Sequence, residues 1–417
     1  VFDNAFAWPG RIDLPFGELR VVDPASPHAA ALFGQGVYTL DGAGTRTLAG
    51  SAEGFAGTFR LAGGVTRIKN AAALGGPATT LIVTNGAALD LSGGLEGTTF
   101  NNLVLGTKNI FLAGDGPDGL GALRPEAFDP AAGGEAGATN QGGNVISGAR
   151  LTLMGDATIG SPGQTRWNIK DTVFDQQGHT LTFANKGRIG LFESTVTNAG
   201  PVVLAAHEKG EEGGLCFGAA LFGAADAPPI TAHGGTHFTW QSAQSFAQVR
   251  PLEILGATTF YNFHAYNNTV ADTGYNGWAG PVRLVDADAR LTLHVYNQSA
   301  RALRLDGPVS GAGGLRMNGS GRYYVMNPTN TFSGALDCSG TNWGVWEFGW
   351  AGSIPDYSKA TFGTGVVALA SDDTNRWPMA AFAKFMNEAH FLDGKTSVGF
   401  DTTFGDQRLG LDNLVVT

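Results

Sequence analysis

Short runs of alternating apolar and polar residues recur along this chain, each only about five residues long and separated by Gly, Asn or Asp. They include TLIVT (80–84), ALDLS (88–92), NLVLG (102–106), RLTLM (150–154), TLTFA (180–184), VVLAA (202–206), RLTLH (290–294) and VVALA (366–370). A period of two is that of a β-strand, and strands this short bury no adequate face alone, so they must be stacked on one another. Their spacing, commonly ~10 residues, suits a sandwich, a propeller or a solenoid alike. Composition narrows the class without choosing among these. Glycine supplies 63 of 417 positions, which disfavours helix interiors, and there is no collagen period. Hydrophobic residues make up 43%, with 26 Phe and 8 Trp, enough for a large core.

The net charge is −10, and no block of like charge occurs. Nucleic acid and anionic membranes select clustered Lys and Arg, so neither is an expected partner. No apolar run approaches the ~20 residues of a membrane span. Cys216 and Cys338 form neither a CxxC pair nor a disulfide framework, and two buried small hydrophobes are the simpler reading. The chain opens on Val1 with a structured-looking segment, so a processed or excised part of a larger precursor is expected.

Particular strings choose among the stacked architectures. Residues 309–340 read VSGAGGLRMNGSGRYYVMNPTNTFSGALDCSG: a GxGGL strand, an NGxG turn, a strand, an NTFSG turn and a strand. Residues 40–68 repeat this plan with FAG in place of FSG, and 72–94 continue it. Residues 151–204 carry GDATI, RWNI, QQGHTLTF and TVTNAG in order, and 396–406 read TSVGFDTTFGD. These strings resemble the autotransporter-associated β-strand repeat of large bacterial surface proteins. The resemblance implies an all-β chain, a right-handed single-stranded parallel β-helix, as one domain over 1–417. At roughly 20–30 residues a coil, about 12–17 coils are expected. It also implies an extracellular or cell-surface location in a Gram-negative-type bacterium.

Two stretches break the pattern. Residues 113–145, rich in Gly, Pro and Ala, read as a protruding loop insertion. Residues 374–390 read as a helix, with Thr374 or Asn375 as cap and Pro378 in the first turn. Trp377, Ala381, Phe385 and Ala389 then share one apolar face, which should pack on the flank or the end of the β-helix.

The chemistry-bearing candidates are sparse. GDGPDG (114–119) matches GxGxxG, but Pro117 and Pro125 forbid the helix that phosphate binding needs; Asp115 and Asp118 alone fall short of a calcium site. The motif order of pectin-degrading hydrolases is absent: RIK (67–69) precedes the aspartate pair Asp372–Asp373, and there is no GHG. In VDADARLTLHVY (285–296), Asp286, Asp288, Arg290, Thr292, His294 and Tyr296 alternate with apolar residues, the pattern of a solvated strand face. His179 reads as a turn residue, and the double glycine between His233 and His237 spoils a helical metal pair. No catalytic, cofactor or metal residues are therefore assigned.

Aromatic residues carry more promise. In 341–353, Trp346, Phe348 and Trp350 share one face of an extended segment, with Trp343 on the other. Tyr266, Tyr275 and Trp278 lie among asparagines, a mixture suited to stacking on sugar rings and equally to stacking between coils. The expected role is a non-catalytic secreted or surface module: a stalk, a fibre subunit that self-associates end to end through β-helix edges, or an adhesin segment contacting glycans. A carbohydrate-binding or polysaccharide-cleaving β-helix is the alternative, with Tyr266, Tyr275, Trp278 and Trp343 as its stacking residues.

Overall fold

The computed structural model describes residues 10–22, 31–91, 95–96, 99–100, 105–125, 144–161, 167–186, 188–206, 213–217, 222–240, 247–262, 276–295, 302–340, 343–371, 376–392 and 395–401. Within them the chain is a parallel β-solenoid of about 12 turns with one short α-helix near its C-terminal end. Where the sequence reading has one domain, contacts divide the chain into two compact units, Val1–Ser242 and Ala243–Thr417.

In the first unit each turn returns the chain to the same wall one rung on. Val37 pairs with Thr58 and Thr58 with Thr80, so a turn there takes 21 or 22 residues. Exact register keeps like side chains above like, because a slip of one residue would turn every apolar group outward. The first wall accordingly stacks Leu19, Tyr38, Phe59, Leu81, Ile110, Leu151, Phe174 and Val196 in one column. The second stacks Leu89, Leu123, Ile159, Phe183, Leu204 and Ala232. The third stacks Ile169, Leu191, Phe217 and Trp240. Ile110, Phe183, Ile169 and Trp240 have no exposed surface. Burying one such side chain contributes about 1.5–3 kcal/mol, and no rung buries its face without its neighbours.

The turn between Asn109 and its rung partner Arg150 holds the expected loop insertion 113–145. Its first part is more ordered than a protruding loop: Leu123 and Arg124 form a rung against Leu89 and Asp90, and Ala122 to Arg124 are buried. The reason is a clasp. The wholly buried Arg124 guanidinium donates to both Asp118 carboxylate oxygens, at 2.5 and 2.7 Å, which closes the turn over GDGPDG. Residues 126–143 lie outside the described residues.

On the outer side of the third wall the neighbouring rungs nest. His237 lies across Gly214, where an added Cβ would stand 2.0 Å from the ring, so a larger residue there would have to displace the imidazole. Burial drives the imidazole toward its neutral form, with Arg188 acting in the same direction, and lowers its pKa to about 3.

The second unit has the same construction. One wall stacks Leu252, Val282 and Val309. Another stacks Phe260, Leu293 and Met317, and Cys338 on the next rung places its Sγ 3.7 Å from Met317 Sδ. The third stacks Leu303, Tyr323, Trp346, Val367 and Val398, beside Leu305, Val325, Phe348, Leu369 and Phe400. Cys216 and Cys338 are both buried and form no disulfide.

The helix spans Met379–Glu388, shorter than the expected 374–390, with Pro378 at its N-cap; residues 374 and 375 lie outside the described residues. Proline without an N–H suits the helix start, and Trp377 precedes it in a bend. Phe385 is the one buried helical residue, and its ring meets Tyr357, Phe362, Trp377 and Phe391. The helix thus packs through Phe385 against the rings of Phe362 and Phe391 on the late rungs. No helix among the described residues is long and apolar enough to cross a membrane.

Candidate functional site

The outer surface of the third wall of the second unit gathers the polar groups that the coil core excludes. Its rungs are Asn276–Trp278, Ala302–Leu305, Arg322–Val325, Gly344–Phe348, Gly365–Ala370 and Thr396–Asp401. Alternation fixes the facing. Because Trp346 and Phe348 point into the core with no exposed surface, Val345 and Glu347 must point out. Register then lines up Arg304, Tyr324, Glu347, Ala368 and Gly399 in one outward column. A parallel column holds Arg322, Val345, Val366 and Ser397.

Glu347 is the unusual member. Though it lies on the outer face, it is only 4% exposed. Its Oε1 is buried with no hydrogen-bond partner among the described residues, and an orphaned acceptor of this kind costs about 1–3 kcal/mol. Asp401 lies two rungs on and is hydrogen-bonded to it. The one rung between them carries the short Ala368 side chain at its outward position. Burial, followed by the Asp401 charge and hydrogen bond, raises the Glu347 pKa to about 8 against the pull of Arg304 and Arg322. At neutral pH the pair therefore holds a proton. Arg304 Nε also donates to Asp306 Oδ1 at 2.6 Å.

Trp343 stands at the head of the same rung. It is 75% exposed, with φ 68° and its N–H donating to the Thr364 carbonyl at 3.2 Å. A left-handed backbone at a bulky residue costs about 1–3 kcal/mol, and an exposed indole returns little of that in burial. Four residues of strand place Trp343 and Glu347 roughly 13 Å apart along the rung.

Of the four aromatic residues expected to stack on sugars, Trp343 alone is found exposed. Trp278 is corrected: it has no exposed surface, its Nε1–H donates to the Arg250 carbonyl at 2.7 Å and its ring stacks on Phe260 at 5.5 Å. The cause is position on the rung, since Trp278 pairs with Leu305 of the inward column. Tyr266 and Tyr275 lie outside the described residues. Trp350 sits past the strand end under the Arg376 guanidinium, 4.6 Å from its ring centre.

The remaining candidates are structural. Arg290–Val295 is a strand with Leu291, Leu293 and Val295 buried, but Asp286 to Asp288 belong to the preceding turn, so their carboxylates are not on its face. His179 donates its N–H to the Gln176 carbonyl at 2.8 Å in a turn. His233 ends one strand and His237 is the second residue of the next, with the Thr236 hydroxyl donating to the His233 carbonyl at 2.6 Å. Among the described residues no group of three His, Cys, Asp or Glu side chains is placed to hold a metal.

Sequence reasoning missed Glu347 and Asp401. The available signal was a lone acid between two core aromatics in GVWEF, which must face out yet is flanked by the most buried residues of the rung. Their pairing carried no signal, being 54 positions apart.

The site's chemistry is hydrogen bonding and stacking. A glycosidase holds its two carboxyl groups about 5–9.5 Å apart to admit the glycosidic oxygen or a water. Carboxyl groups already bonded to each other leave no such gap. No family model, curated protein or solved structure matches the chain.

Proposed function

We propose that this chain is a non-catalytic structural and adhesive module, displayed on the cell surface or secreted: a stalk, a fibre subunit or an adhesin segment. The observation that carries the reading is the in-register column on every wall, exemplified by Leu19 to Val196. A solenoid stacked in this way holds its outer side chains at rung intervals of ~4.8 Å on a rigid backing, which suits contact with an extended partner better than enclosure of a small substrate. The strings that resemble the autotransporter-associated repeat support the surface location. End-to-end strand addition between copies would continue the same parallel register from one subunit to the next. The paired Glu347 and Asp401 weigh against the polysaccharide-cleaving alternative, for the geometric reason above.

The test has two readings. Beads coated with the protein are expected to hold to bacterial or host cell surfaces under flow. A panel of soluble polysaccharides incubated with the same preparation is expected to release no new reducing ends and no unsaturated uronate product. Cleavage of any of them, or beads that wash off like albumin-coated controls, would overturn the proposal.

A further inference from the structure

The geometry points to a binding site for a neutral glycan on the outer face of this wall, with the Trp343 indole as platform for a sugar ring and Glu347, Tyr324 and Arg322 as its hydrogen-bonding end. This rests on the adhesive reading and names its ligand class.

Three independent features converge. The first is Trp343, held by a strained backbone in a position where three quarters of its surface meets solvent. A side chain that contributes so little to packing, kept on so unfavourable a backbone, is explained by a partner that covers it. The second is the Glu347 Oε1, buried and without a donor among the described residues. A ligand hydroxyl is a donor of the right kind. The third is the surface between them. Val345 and the 38% exposed Val366 are register partners on this face, a low apolar strip of the sort that accepts the C–H side of a sugar ring.

Charge selects among sugars. Arg304 is paired with Asp306, and the face carries one further cation, Arg322, and one further carboxylate, Asp401, besides Glu347. The face therefore presents donors and acceptors with little net charge. A polyanionic glycan would need unpaired cations, and a polycation would need a carboxylate free of its arginine. A neutral oligosaccharide needs neither.

The test is affinity electrophoresis of the whole chain in native gels cast with soluble β-glucan, mannan, galactan or xylan, with alginate and hyaluronate as acidic comparisons. Retardation is expected on at least one neutral polymer and on neither acidic one. Tryptophan fluorescence should change on titration with that polymer. Trp343→Ala should abolish the fluorescence change and weaken binding about tenfold or more while leaving the melting temperature unchanged. Tyr324→Phe should weaken it less, through loss of one hydroxyl. Retardation on no neutral polymer, retardation on the acidic ones alone, or a Trp343→Ala chain that binds as the parent does would each overturn the assignment. If coated beads adhere to cells and soluble neutral glycans do not compete, this site falls while the adhesive module stands.

Discussion

Replacing Gly311 with alanine is expected to destabilise the second unit by about 3–5 kcal/mol, or to prevent its folding. Two effects add at this position. Its φ of 105° lies where L-residues rarely go, and a Cβ built there would stand 2.0 Å from the Leu284 carbonyl oxygen of the preceding rung. That obstacle is backbone, which cannot rotate aside as a side chain could. Moving it would lift the rung Val309–Gly311 from Val282–Leu284, to which it is register-paired. Gly399→Ala supplies the control in the same unit, because an added Cβ there meets nothing within 4 Å. Urea titrations should show a large drop in the midpoint for the first variant and almost none for the second. Equal effects would mean that the close approach of rungs at Gly311 is not real.

Acid and alkali are expected to attack the two units differently, through one buried group in each. His237, in the first unit, is held near pKa 3 against an ordinary 6.5. The unfolded chain therefore binds a proton below 6.5 that the folded chain refuses. The stability this group contributes is complete above pH 6.5 and falls by about 1.4 kcal/mol per unit as pH drops toward 3. Asp41, Asp118 and Asp175 are held below their ordinary 3.8 by arginine partners and hydrogen bonds, so they add losses only in stronger acid. Between pH 4 and 6.5 the loss in the first unit belongs chiefly to His237. In the second unit Glu347 behaves in the opposite sense. Its folded pKa of about 8 lies above the ordinary 4.5, so the stability of its neutral form is complete below 4.5 and is lost as pH rises to 8. His294, also depressed by burial, adds a smaller acid loss there. Thermal melts from pH 4 to 9 should show one transition falling in acid and another falling in alkali. His237→Gln should flatten the first limb and Glu347→Gln the second. Melts that are parallel in parent and variants would contradict both assignments.

What the sequence displayed was local. Alternation in RLTLH places Leu291 and Leu293 inside, and the same rule separates Trp346 and Phe348 from Trp343 within GVWEF and its flank. The repeated strings announced stacked coils, and the apolar spacing that includes Phe385 announced a helix with one packed face, although Trp377 lies just before it. What escaped was everything decided between rungs. Trp278 stands in a strand of three residues, too short for alternation to declare a face, and its hydrogen-bond acceptor is 28 positions away. Arg124 and Asp118 looked like members of a turn and a loop, yet one is the fully buried anchor of the other. Glu347 and Asp401 meet across a single intervening rung, which carries Ala368 at its outward position. In a solenoid such contacts join residues one or two turns apart, and turn length varies from 19 residues between Glu18 and Val37 to 41 between Asn109 and Arg150. Without the register, no spacing rule recovers them.

The register itself is therefore the claim on which the outer face and its proposed ligand both depend. Cysteines introduced at Val345 and Val366 measure it directly on that face. The two are in-register neighbours on adjacent rungs and both point outward, within the Cα separation a disulfide requires. The buried Cys216 and Cys338 should stay reduced beside them. The Val345→Cys, Val366→Cys chain is expected to close an intramolecular disulfide under mild oxidation, seen as a loss of two thiols per molecule. The Val345→Cys, Val367→Cys chain should not, since Val367 faces the core. A cross-link in the second pair, or none in the first, would contradict the stacked register.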